Sequence, residues 1–430
     1  MPSKNDIAWE ALFERHRILD HVNADGVFQI SAAAINEERE ARLMTKFDHY
    51  IQLPTVFKQN DLTIQPDTRG TYLIGRFRSY LDLPTEDDVE IEDVGFPRQF
   101  ETLNPQNLYS ESAALLCAYN AGIMEQLLDE PVSLTVFGRM SSGRFNYFIN
   151  ENQTDNPIEV KVQNSQCEID SGFEGQNVFA LVEAKNELVN DVLVRQLYYP
   201  YRLWSAKTRK QVVPIFLSYS NDVFSFYVFR FREPANYNSI ELVERKRYQI
   251  VPNEIELQDL LNALQHVRVQ AEPAGVPFPQ ADSFPRIIDL VSQIHAAGIM
   301  SQEDITTNHA FDVRQTQYYT NAGRYLGLID ITRSRQEGVK YSLTPLGTAI
   351  MAQPPASRNL ALTEAILQHR VFNQTLRRYL RNAGPPNIQD IVAVMRRADL
   401  PLNQAGTTTI SRRAQTVLAW VDWIMRLTRR

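Results

Sequence analysis

The sequence contains few cysteines and no long apolar run. Its 430 residues include two cysteines, Cys117 and Cys167. This number is too low for a disulfide framework or a thiolate metal site, and such sparse use is typical of a reducing compartment. No stretch of about 18 apolar residues occurs. The opening MPSKNDIAWEALFERH also lacks the basic and then apolar order of a secretion signal. These absences predict a cytoplasmic protein without membrane partners.

Two large classes of enzyme lack their motifs here. The chain has no GxxxxGK[ST] phosphate-binding loop, so we expect no nucleotide cofactor and no ATP-dependent step. None of the seven histidines is accompanied by a nucleophile motif, which disfavours a Ser/His/Asp hydrolase. The chemistry must be sought among the carboxylates and the cations.

Positive charge is concentrated at one end of the chain, although the net charge is -7. From residue 281 onward about 18 Lys and Arg residues stand against about 11 Asp and Glu residues, roughly +7. The first 280 residues carry roughly -14. This asymmetry predicts that the C-terminal third faces a polyanion such as nucleic acid.

Length and composition predict several domains. A chain of 430 residues exceeds one ordinary hydrophobic core. The segment AEPAGVPFPQADSFPR carries four prolines and separates acidic from basic sequence, as a linker does. The predicted organisation is an N-terminal α+β accessory domain at 1–100, a central domain at 101–270, a linker at 271–285, a helical domain at 286–355 and a second helical domain at 356–430. In the first domain, EREARLMTKFDHY is interpreted either as an exposed helix or as an accessory DNA-contacting surface.

The central region alternates between helical and strand patterns. A helix, LYSESAALLCAYNAGIMEQLL, precedes a meander of apolar runs that ends in VFALVEAK. A second helix around DVLVRQLYYPYRLWSA and the strands VVPIFLSYS and VFSFYVFRF follow. A helix, a strand meander, a crossover helix and a further strand predict an α/β sandwich.

One strand of this region ends in opposite charges. The apolar run Val178–Val182 leads into Glu183-Ala184-Lys185, and strand alternation places Glu183 and Lys185 on the same face. Asp170 is predicted to end the preceding strand, before the turn-like SGFEGQN. Two carboxylates can hold Mg²⁺, and a neighbouring lysine can orient or deprotonate a water molecule. These groups favour phosphodiester hydrolysis, whereas the plainer alternative is a surface ion pair beside an aspartate that caps a turn.

With Asp170 at the first acidic position and Glu183-Ala184-Lys185 as the (D/E)XK element, the chain resembles the PD-(D/E)XK nuclease superfamily. Ile169 stands where the family name has proline. The resemblance implies Mg²⁺ bound at Asp170 and Glu183, a further acidic residue from the upstream helix, Glu111, and a glutamine from the following helix, Gln196. Tyr199 follows Gln196 by three residues, which departs from the Gln-x-x-x-Tyr pattern of recombination-type nucleases.

The basic region shows the element order of a winged helix. Three helical patterns, beginning at FPRIIDL, SQEDITT and DVRQTQY, are followed by the short β-like pieces ITRSRQEG and VKYSLTPLG. The third helix of such a module commonly reads the major groove, and Arg, Gln and Asn can bond base edges. The predicted DNA-binding residues are Arg314, Gln315, Gln317, Tyr318, Asn321 and Arg324 on that helix, with Arg333, Arg335 and Lys340 on the wing facing phosphates.

The last helical pattern predicts a second helix-turn-helix unit. Thr409 or Ser411 is expected to cap this helix, with Arg412 and Arg413 in its first turn. Arginines there oppose the helix dipole, a conflict that a bound phosphate would relieve. The alternative for both basic modules is contact with another protein.

Together these features predict an α/β (α+β) PD-(D/E)XK nuclease core with an N-terminal α+β domain and a C-terminal helical winged-helix region. The chain looks like a Type II restriction endonuclease, which implies Mg²⁺-dependent, sequence-specific cleavage of double-stranded DNA by a homodimer. The alternatives are a repair or phage-type nuclease that recognises DNA structure, and a catalytically inert winged-helix regulator.

Overall fold

A computed structural model describes residues 3–84, 89–97, 100, 102–105, 108–250, 255–308, 311–334, 338–398, 400 and 407–428. The chain divides into two compact units, of which the first comprises Met1–Leu103, Ser110–Tyr219 and Val223–Gln249 and the second Asn104–Tyr109, Ser220–Asp222 and Ile250–Arg430. Helices and several sheets alternate, which confirms the predicted mixed α and β class. Among the described helices, none combines the length and the apolar character needed to cross a membrane.

The first unit begins with short helices around a small sheet. Its elements are α1 (Lys4–His16), α2 (Ile18–Asp25), β1 (Val27–Ser31), α3 (Ala32–Asn36), α4 (Ala41–Met44), a 3-10 turn (Tyr50–Gln52), α5 (Thr55–Gln59), β2 (Thr63–Pro66), β3 (Thr71–Gly75), β4 (Tyr80–Asp82) and β5 (Ile91–Val94). Strands β1, β3 and β2 form an antiparallel sheet in that order. The rings of Trp9, Phe13 and Phe57 meet edge to face in the core beside it. The helix expected over EREARLMTKFDHY is limited to α4, because the backbone leaves the helical conformation at Thr45, where φ is -122°. Its Ala41 and Met44 are buried.

A seven-stranded sheet forms the rest of the first unit. The elements are α6 (Glu111–Asn120), α7 (Ile123–Leu128), β6 (Ser133–Ser141), β7 (Arg144–Asn150), β8 (Pro157–Gln163), β9 (Gln166–Glu174), β10 (Val178–Lys185), β11 (Asp191–Leu193), α8 (Val194–Ser205), β12 (Gln211–Ser220), β13 (Val223–Phe231) and β14 (Ile240–Ile250). The strand order is β5-β14-β13-β12-β10-β9-β6, and β7 pairs with β8 in a sheet of its own. Gly122, with φ of 76°, breaks the single helix expected over residues 108–128 into α6 and α7.

The central strands determine where the charged residues of β10 lie. Strand β10 runs parallel to β12, from Val178 opposite Gln211 to Lys185 opposite Ser218, and α8 is the crossover between them. Its other neighbour, β9, is antiparallel. A strand with a partner on each side and its faces covered reads as a continuous apolar run, which explains the sequence before Glu183.

Asp170 lies inside β9, and the expectation that it ends a strand is wrong. The segment SGFEGQN resembled a turn because of its small residues, yet Ser171–Glu174 continue the pairing with β10. Gly172 is small for a packing reason, since a methyl group there would lie 3.0 Å from Val136 Cβ and 3.1 Å from Phe179 Cζ. The turn itself is confined to the residues between β9 and β10.

The second unit is mainly helical. Its elements are α9 (Leu257–His266), α10 (Phe284–Ala297), β15 (Ile299–Ser301), α11 (Gln302–Asn308), α12 (Val313–Tyr325), β16 (Ile329–Ser334), β17 (Gly338–Leu343), α13 (Pro345–Met351), α14 (Pro355–Leu367), α15 (Arg370–Arg381), α16 (Ile388–Arg397) and α17 (Thr407–Arg426). Strands β15, β17 and β16 form an antiparallel sheet in that order. One hydrophobic core extends from Ile255 to Ile424, so the segments 286–355 and 356–430 pack around a common interior.

The proline-rich segment 271–285 also packs on this core. Phe278 and Ala281 are buried within it. The indole Nε1 of Trp420 donates a hydrogen bond of 2.7 Å to the Ala281 carbonyl, and the Arg413 guanidinium bonds the Phe278 carbonyl. Side-chain donors on α17 thus satisfy carbonyls of a segment whose prolines exclude regular structure.

The last helix begins earlier than predicted. Thr409 and Ser411 lie inside α17, and Arg412 and Arg413 lie in its second turn, not its first. The apolar stripe that includes Val417 continues back to the buried Ile410, which extends the helix toward the N-terminus. The conflict between these arginines and the helix dipole is therefore weaker than expected, because the dipole acts mainly in the first turn.

Gly347→Ala should destabilise the second unit. A methyl group at Gly347 would lie 2.3 Å from the Leu328 carbonyl oxygen, which accepts a hydrogen bond of 3.0 Å from Thr344 N. We expect the free energy of unfolding to fall by roughly 2 kcal/mol, although alanine is the better helix former. In the control Gly384→Ala the nearest atom, Asn382 O, is 3.9 Å away, so a change within about 0.5 kcal/mol is expected. Equal denaturant midpoints for the two variants would contradict this packing.

Candidate active site

Two adjacent strands bring Asp170, Glu183 and Lys185 together. The pairing of β9 with β10 extends to Ser171 opposite Val182, and Asp170 and Glu183 are the next residue on each strand. Asp170 Oδ2 accepts a hydrogen bond of 2.8 Å from Ala184 N, and Lys185 Nζ lies 2.7 Å from Glu183 Oε1. The Glu183 and Lys185 side chains are 8% and 11% exposed, so this ion pair is mostly removed from water.

The two residues implied by the family resemblance lie at the same place. Glu111 is the first residue of α6, and the Ser110 hydroxyl caps this helix by accepting a hydrogen bond from Ala113 N. The Oε1 atom of Glu111 lies 3.8 Å from Lys185 Nζ. Gln196 is in the first turn of α8, and its Nε2 donates a hydrogen bond of 2.5 Å to Glu183 Oε1. The structure therefore gathers all five residues proposed for catalysis.

The sequence interpretation missed one carboxylate at this site. Asp48 Oδ2 lies 3.8 Å from Lys185 Nζ, and the Asp48 side chain is 16% exposed. Asp48 stands in a stretch interpreted as an exposed helix or a DNA-contacting surface, and it is far from Lys185 along the chain. No local pattern distinguishes it from other surface acids, so only the tertiary structure identifies it.

Burial and mutual repulsion disturb the protonation of this cluster. Burial raises the pKa of Glu183 to about 8, against the attraction of Lys185, and the negative charge of Asp170 adds to the rise. Burial also raises the pKa values of Asp170 and Glu111. Lys185 shows the opposite balance: burial alone would lower its pKa, but Glu183 and the other carboxylates hold it well above the usual range.

Asp48 behaves differently from the other acids. Burial favours its neutral form, yet Lys185 and Lys46 outweigh burial and lower the pKa of Asp48. Asp48 is therefore the acid of the cluster that stays ionised most readily. Four acids thus lie around the Lys185 ammonium, and Lys46 and Arg195 also act on Asp48.

The donor set fits a hard cation. Carboxylate oxygens are the ligands that Mg²⁺ prefers, and Mg²⁺ commonly takes one or two of them together with water and substrate phosphates. Gln196 Oε1 is buried without a hydrogen-bond partner beside Glu183, which leaves an acceptor available there. Across the described ranges, no three His, Cys, Asp or Glu side chains already surround a common metal position. A site with two protein ligands, Asp170 and Glu183, is compatible with this arrangement.

The predicted DNA-binding residues lie on several elements of the second unit. On α12, Arg314 and Gln317 are exposed, whereas Gln315, Tyr318, Asn321 and Arg324 are half-buried. Gln315 forms a capping box with Asp312, Arg314 Nε bonds Tyr318 Oη at 2.5 Å, and Arg324 bonds Asn321. Tyr319 and Ala322 are buried on the opposite face of the helix.

The remaining predicted contacts differ in exposure. Arg333 on β16 is exposed and Lys340 on β17 is half-buried, while Arg335 lies outside the described residues. Arg412 is exposed on α17. Arg413 is only 9% exposed and its guanidinium bonds the Phe278 carbonyl, so its charge is used within the protein. Of this pair, Arg412 is the one that faces solvent.

Comparisons with known proteins give similarity to three domain families without an assigned function. Residues 6–74 match the domain of unknown function DUF6996, residues 75–249 match DUF6997 and residues 286–429 match DUF7226. Asp48 falls in the first match, whereas Glu111, Asp170, Glu183, Lys185 and Gln196 fall in the second. No curated protein and no solved structure matches the chain.

Glu183→Gln should make thermal stability less dependent on pH. The pKa of Glu183 is raised to about 8. Between the ordinary pKa of a glutamate and pH 8, the folded state therefore keeps a proton on Glu183 that the unfolded state has already released. This group therefore lowers stability as pH rises from about 5 to about 8. At about pH 8, in EDTA, we expect the Tm of Glu183→Gln to exceed the wild-type Tm by roughly 5 °C. At about pH 5 the difference in Tm should be smaller.

The matched control is Glu174→Gln, which removes a partly exposed ion pair of 2.6 Å with Lys210 at the C-terminal end of β9. Its Tm should follow the wild-type pH profile. Parallel pH profiles for wild type and Glu183→Gln in differential scanning fluorimetry would contradict the assignment.

Proposed function

We propose that the protein is a Mg²⁺-dependent, sequence-specific endonuclease that cleaves double-stranded DNA, similar to Type II restriction endonucleases. The observation that carries the proposal is the convergence of Asp170, inside β9, with Glu183 and Lys185 at the end of the adjacent strand β10. Glu111 on the preceding helix and Gln196 on the following helix support it.

The element order supports the finer fold assignment. Helix α6, the antiparallel pair of β9 and β10, the crossover α8 and the parallel strand β12 follow the order expected for a PD-(D/E)XK nuclease core. In the second unit, α10, β15, α11, α12 and the β16–β17 hairpin follow the order of a winged helix. We therefore assign catalysis to the first unit and DNA recognition to the second.

The site residues have separate roles in hydrolysis. Asp170 and Glu183 would hold Mg²⁺, which supplies Lewis acidity at the scissile phosphate and lowers the pKa of a bound water. Lys185 has a raised pKa and so carries a proton at neutral pH. Its ammonium therefore orients the attacking water and offsets charge on the phosphoryl oxygens, and it is a poor proton acceptor. Glu111, with 41% of its side chain exposed and a raised pKa, is the better placed acceptor for the water proton.

Charge and exposed side chains support DNA as the substrate. Residues 281–430 carry roughly +7, which suits a phosphate backbone. Arg314 and Gln317 on α12 offer exposed groups that can bond base edges, and Arg333 and Arg412 offer exposed cations for phosphates. The described residues contain one such cluster per chain, so cutting both strands calls for a homodimer on DNA or for sequential nicking by one chain. We propose that it acts in the cytoplasm, without a nucleotide cofactor.

The cleavage assay uses a matched pair of lysine variants. Purified protein is incubated with unmethylated phage DNA in Mg²⁺ or in EDTA, together with Lys185→Ala and Lys161→Ala. Lys161 belongs to a second Glu-x-Lys triplet, but its side chain is 66% exposed and lies 3.8 Å from Glu159. We expect discrete fragments that require Mg²⁺, normal cleavage by Lys161→Ala and at least a hundredfold loss, or about 3 kcal/mol, for Lys185→Ala.

The outcomes separate the three functions. Discrete fragments give the recognition sequence from their ends. Cleavage only at nicks, flaps or junctions would instead favour a structure-specific nuclease. Intact DNA across many substrates, with salt-sensitive binding retained, would contradict the nuclease and favour the inert regulator.

Substitutions on α12 and α17 should affect binding differently. Arg314→Ala and Gln317→Ala should each weaken binding to the recognition sequence by about 5- to 100-fold, because bidentate base contacts contribute about 1–3 kcal/mol of discrimination. Arg412→Ala should weaken binding to all sequences alike and reduce the slope of log K against log salt by about one. Fluorescence anisotropy in Ca²⁺ measures both effects.

The control is Arg230→Ala, which alters an exposed ion pair of 3.0 Å with Glu241 on the first unit. It should leave binding unchanged. If the α12 variants lost affinity equally for recognition and random DNA, α12 would not read sequence.

A further inference from the structure

Asp48 reaches the candidate active site from the N-terminal part of the first unit. It lies between α4 and the 3-10 turn, and its Oδ2 is 3.8 Å from Lys185 Nζ. Glu183 at 2.7 Å and Glu111 at 3.8 Å are the other carboxylates within ion-pair distance of the same ammonium. Lys185 therefore receives one carboxylate from each of three segments of the chain.

Hydrogen bonds hold the residues on both sides of Asp48 to Tyr80 and Asp191. The Tyr80 hydroxyl donates a hydrogen bond of 2.7 Å to the Phe47 carbonyl. His49 Nδ1 lies 2.6 Å from Asp191 Oδ1, and Tyr50 N donates a hydrogen bond of 2.8 Å to Asp191 Oδ2. These contacts fix the residues immediately before and after Asp48, so its position does not depend on its own pair with Lys185.

Asp191, which bonds His49 and Tyr50, belongs to the same segment of the chain as Gln196. Asp191 begins β11, and β11 runs directly into α8, where Gln196 bonds Glu183. His49 and Asp191 are 2% and 8% exposed. Burying such a pair costs desolvation energy and is weak evidence of stability, so a positional role is a better explanation of its presence.

Asp48 offers the Lys185 ammonium a partner other than Glu183, which is shared between two donors. Glu183 Oε1 accepts hydrogen bonds from both Lys185 and Gln196. If Glu183 holds a cation during the reaction, its hold on the Lys185 ammonium weakens. Asp48 lies outside the proposed ligand pair and can keep the ammonium in place.

We propose that Asp48 is a positioning residue that holds the Lys185 ammonium for catalysis, so that the segment 6–74 completes the active site. The inference rests on the proposed nuclease function for its catalytic part. The contact between Asp48 and Lys185 stands independently of it. The N-terminal segment is then a required part of the catalytic centre, in addition to any contact it makes with DNA.

The first readout does not need DNA cleavage. Full-length wild type, Asp48→Asn and Asp48→Glu are treated with formaldehyde and cyanoborohydride over a range of pH, and methylation of each lysine is quantified by peptide mass spectrometry. Methylation is slow while the amine is held in ion pairs, so its rate reports how firmly the Lys185 ammonium is held. We expect Lys185 of Asp48→Asn to react several-fold faster than in wild type at equal pH, with Asp48→Glu in between. Lys161 in the same molecules is the internal standard.

The second readout is cleavage by the same variants, with Glu174→Gln as the control that keeps wild-type activity. Asp48→Asn should lower kcat by about 10- to 100-fold, or about 1.4–2.7 kcal/mol, and leave KM and DNA affinity within about twofold. Asp48→Glu should recover part of kcat. A purely structural role would change Tm and DNA affinity together with kcat.

The two claims fail in different ways. Wild-type protein that cleaves no DNA, combined with faster methylation of Lys185 in Asp48→Asn, would overturn the nuclease function and keep the positioning role. Wild-type Lys185 reactivity in folded Asp48→Asn would overturn the positioning role whatever the cleavage result. Unchanged kcat in Asp48→Asn would overturn its catalytic part.

Discussion

The ammonium of Lys185 is the charge around which the first unit is organised. It terminates a buried strand, and carboxylates from that strand, from α6 and from the loop after α4 lie within ion-pair distance of it. An ammonium removed from water is stable only when such partners replace its hydration. The same carboxylates would repel one another without it. Strand, helix and N-terminal loop are therefore coupled through a single side chain.

The cluster of carboxylates around Lys185 is not the arrangement that would make the fold most stable. Burial raises the pKa values of Glu183, Asp170 and Glu111, which means that the folded state disfavours their ionised forms. Apolar residues of similar size would stabilise the same strands better. Perturbed carboxylates concentrated at one place are typical of functional sites. The unfavourable electrostatics thus support the proposal that this cluster is a functional site.

In the second unit, a proline-rich segment packs into the hydrophobic core. Prolines remove backbone donors and prevent a helix, so the carbonyls of residues 271–285 need partners from elsewhere. Trp420 and Arg413 on α17 supply two of them, and Phe278 fills the core between helices. Arg413 is consequently structural, and the neighbouring Arg412 keeps its charge in solvent. Two adjacent arginines in the sequence therefore have separate roles.

Local patterns determined the elements whose cause is local. The apolar run before Glu183 specified β10, and alternation placed Glu183 and Lys185 on one face. These features follow from backbone geometry that neighbouring residues share. The family resemblance added Glu111, which lies within ion-pair distance of the Lys185 ammonium, and Gln196, which bonds Glu183.

The tertiary structure decided whatever depended on distant partners. Gly172 resembles a turn residue but lies in β9, paired with Leu181, and a side chain there would be crowded by Val136 and Phe179. The start of α17 depends on the burial of Ile410, and Arg413 is withdrawn from solvent by a carbonyl of the proline-rich segment. Asp48 lies beside Lys185 in a loop whose neighbouring residues bond Asp191 and Tyr80. No short stretch of sequence records such contacts, since their energy belongs to residues far apart in the chain.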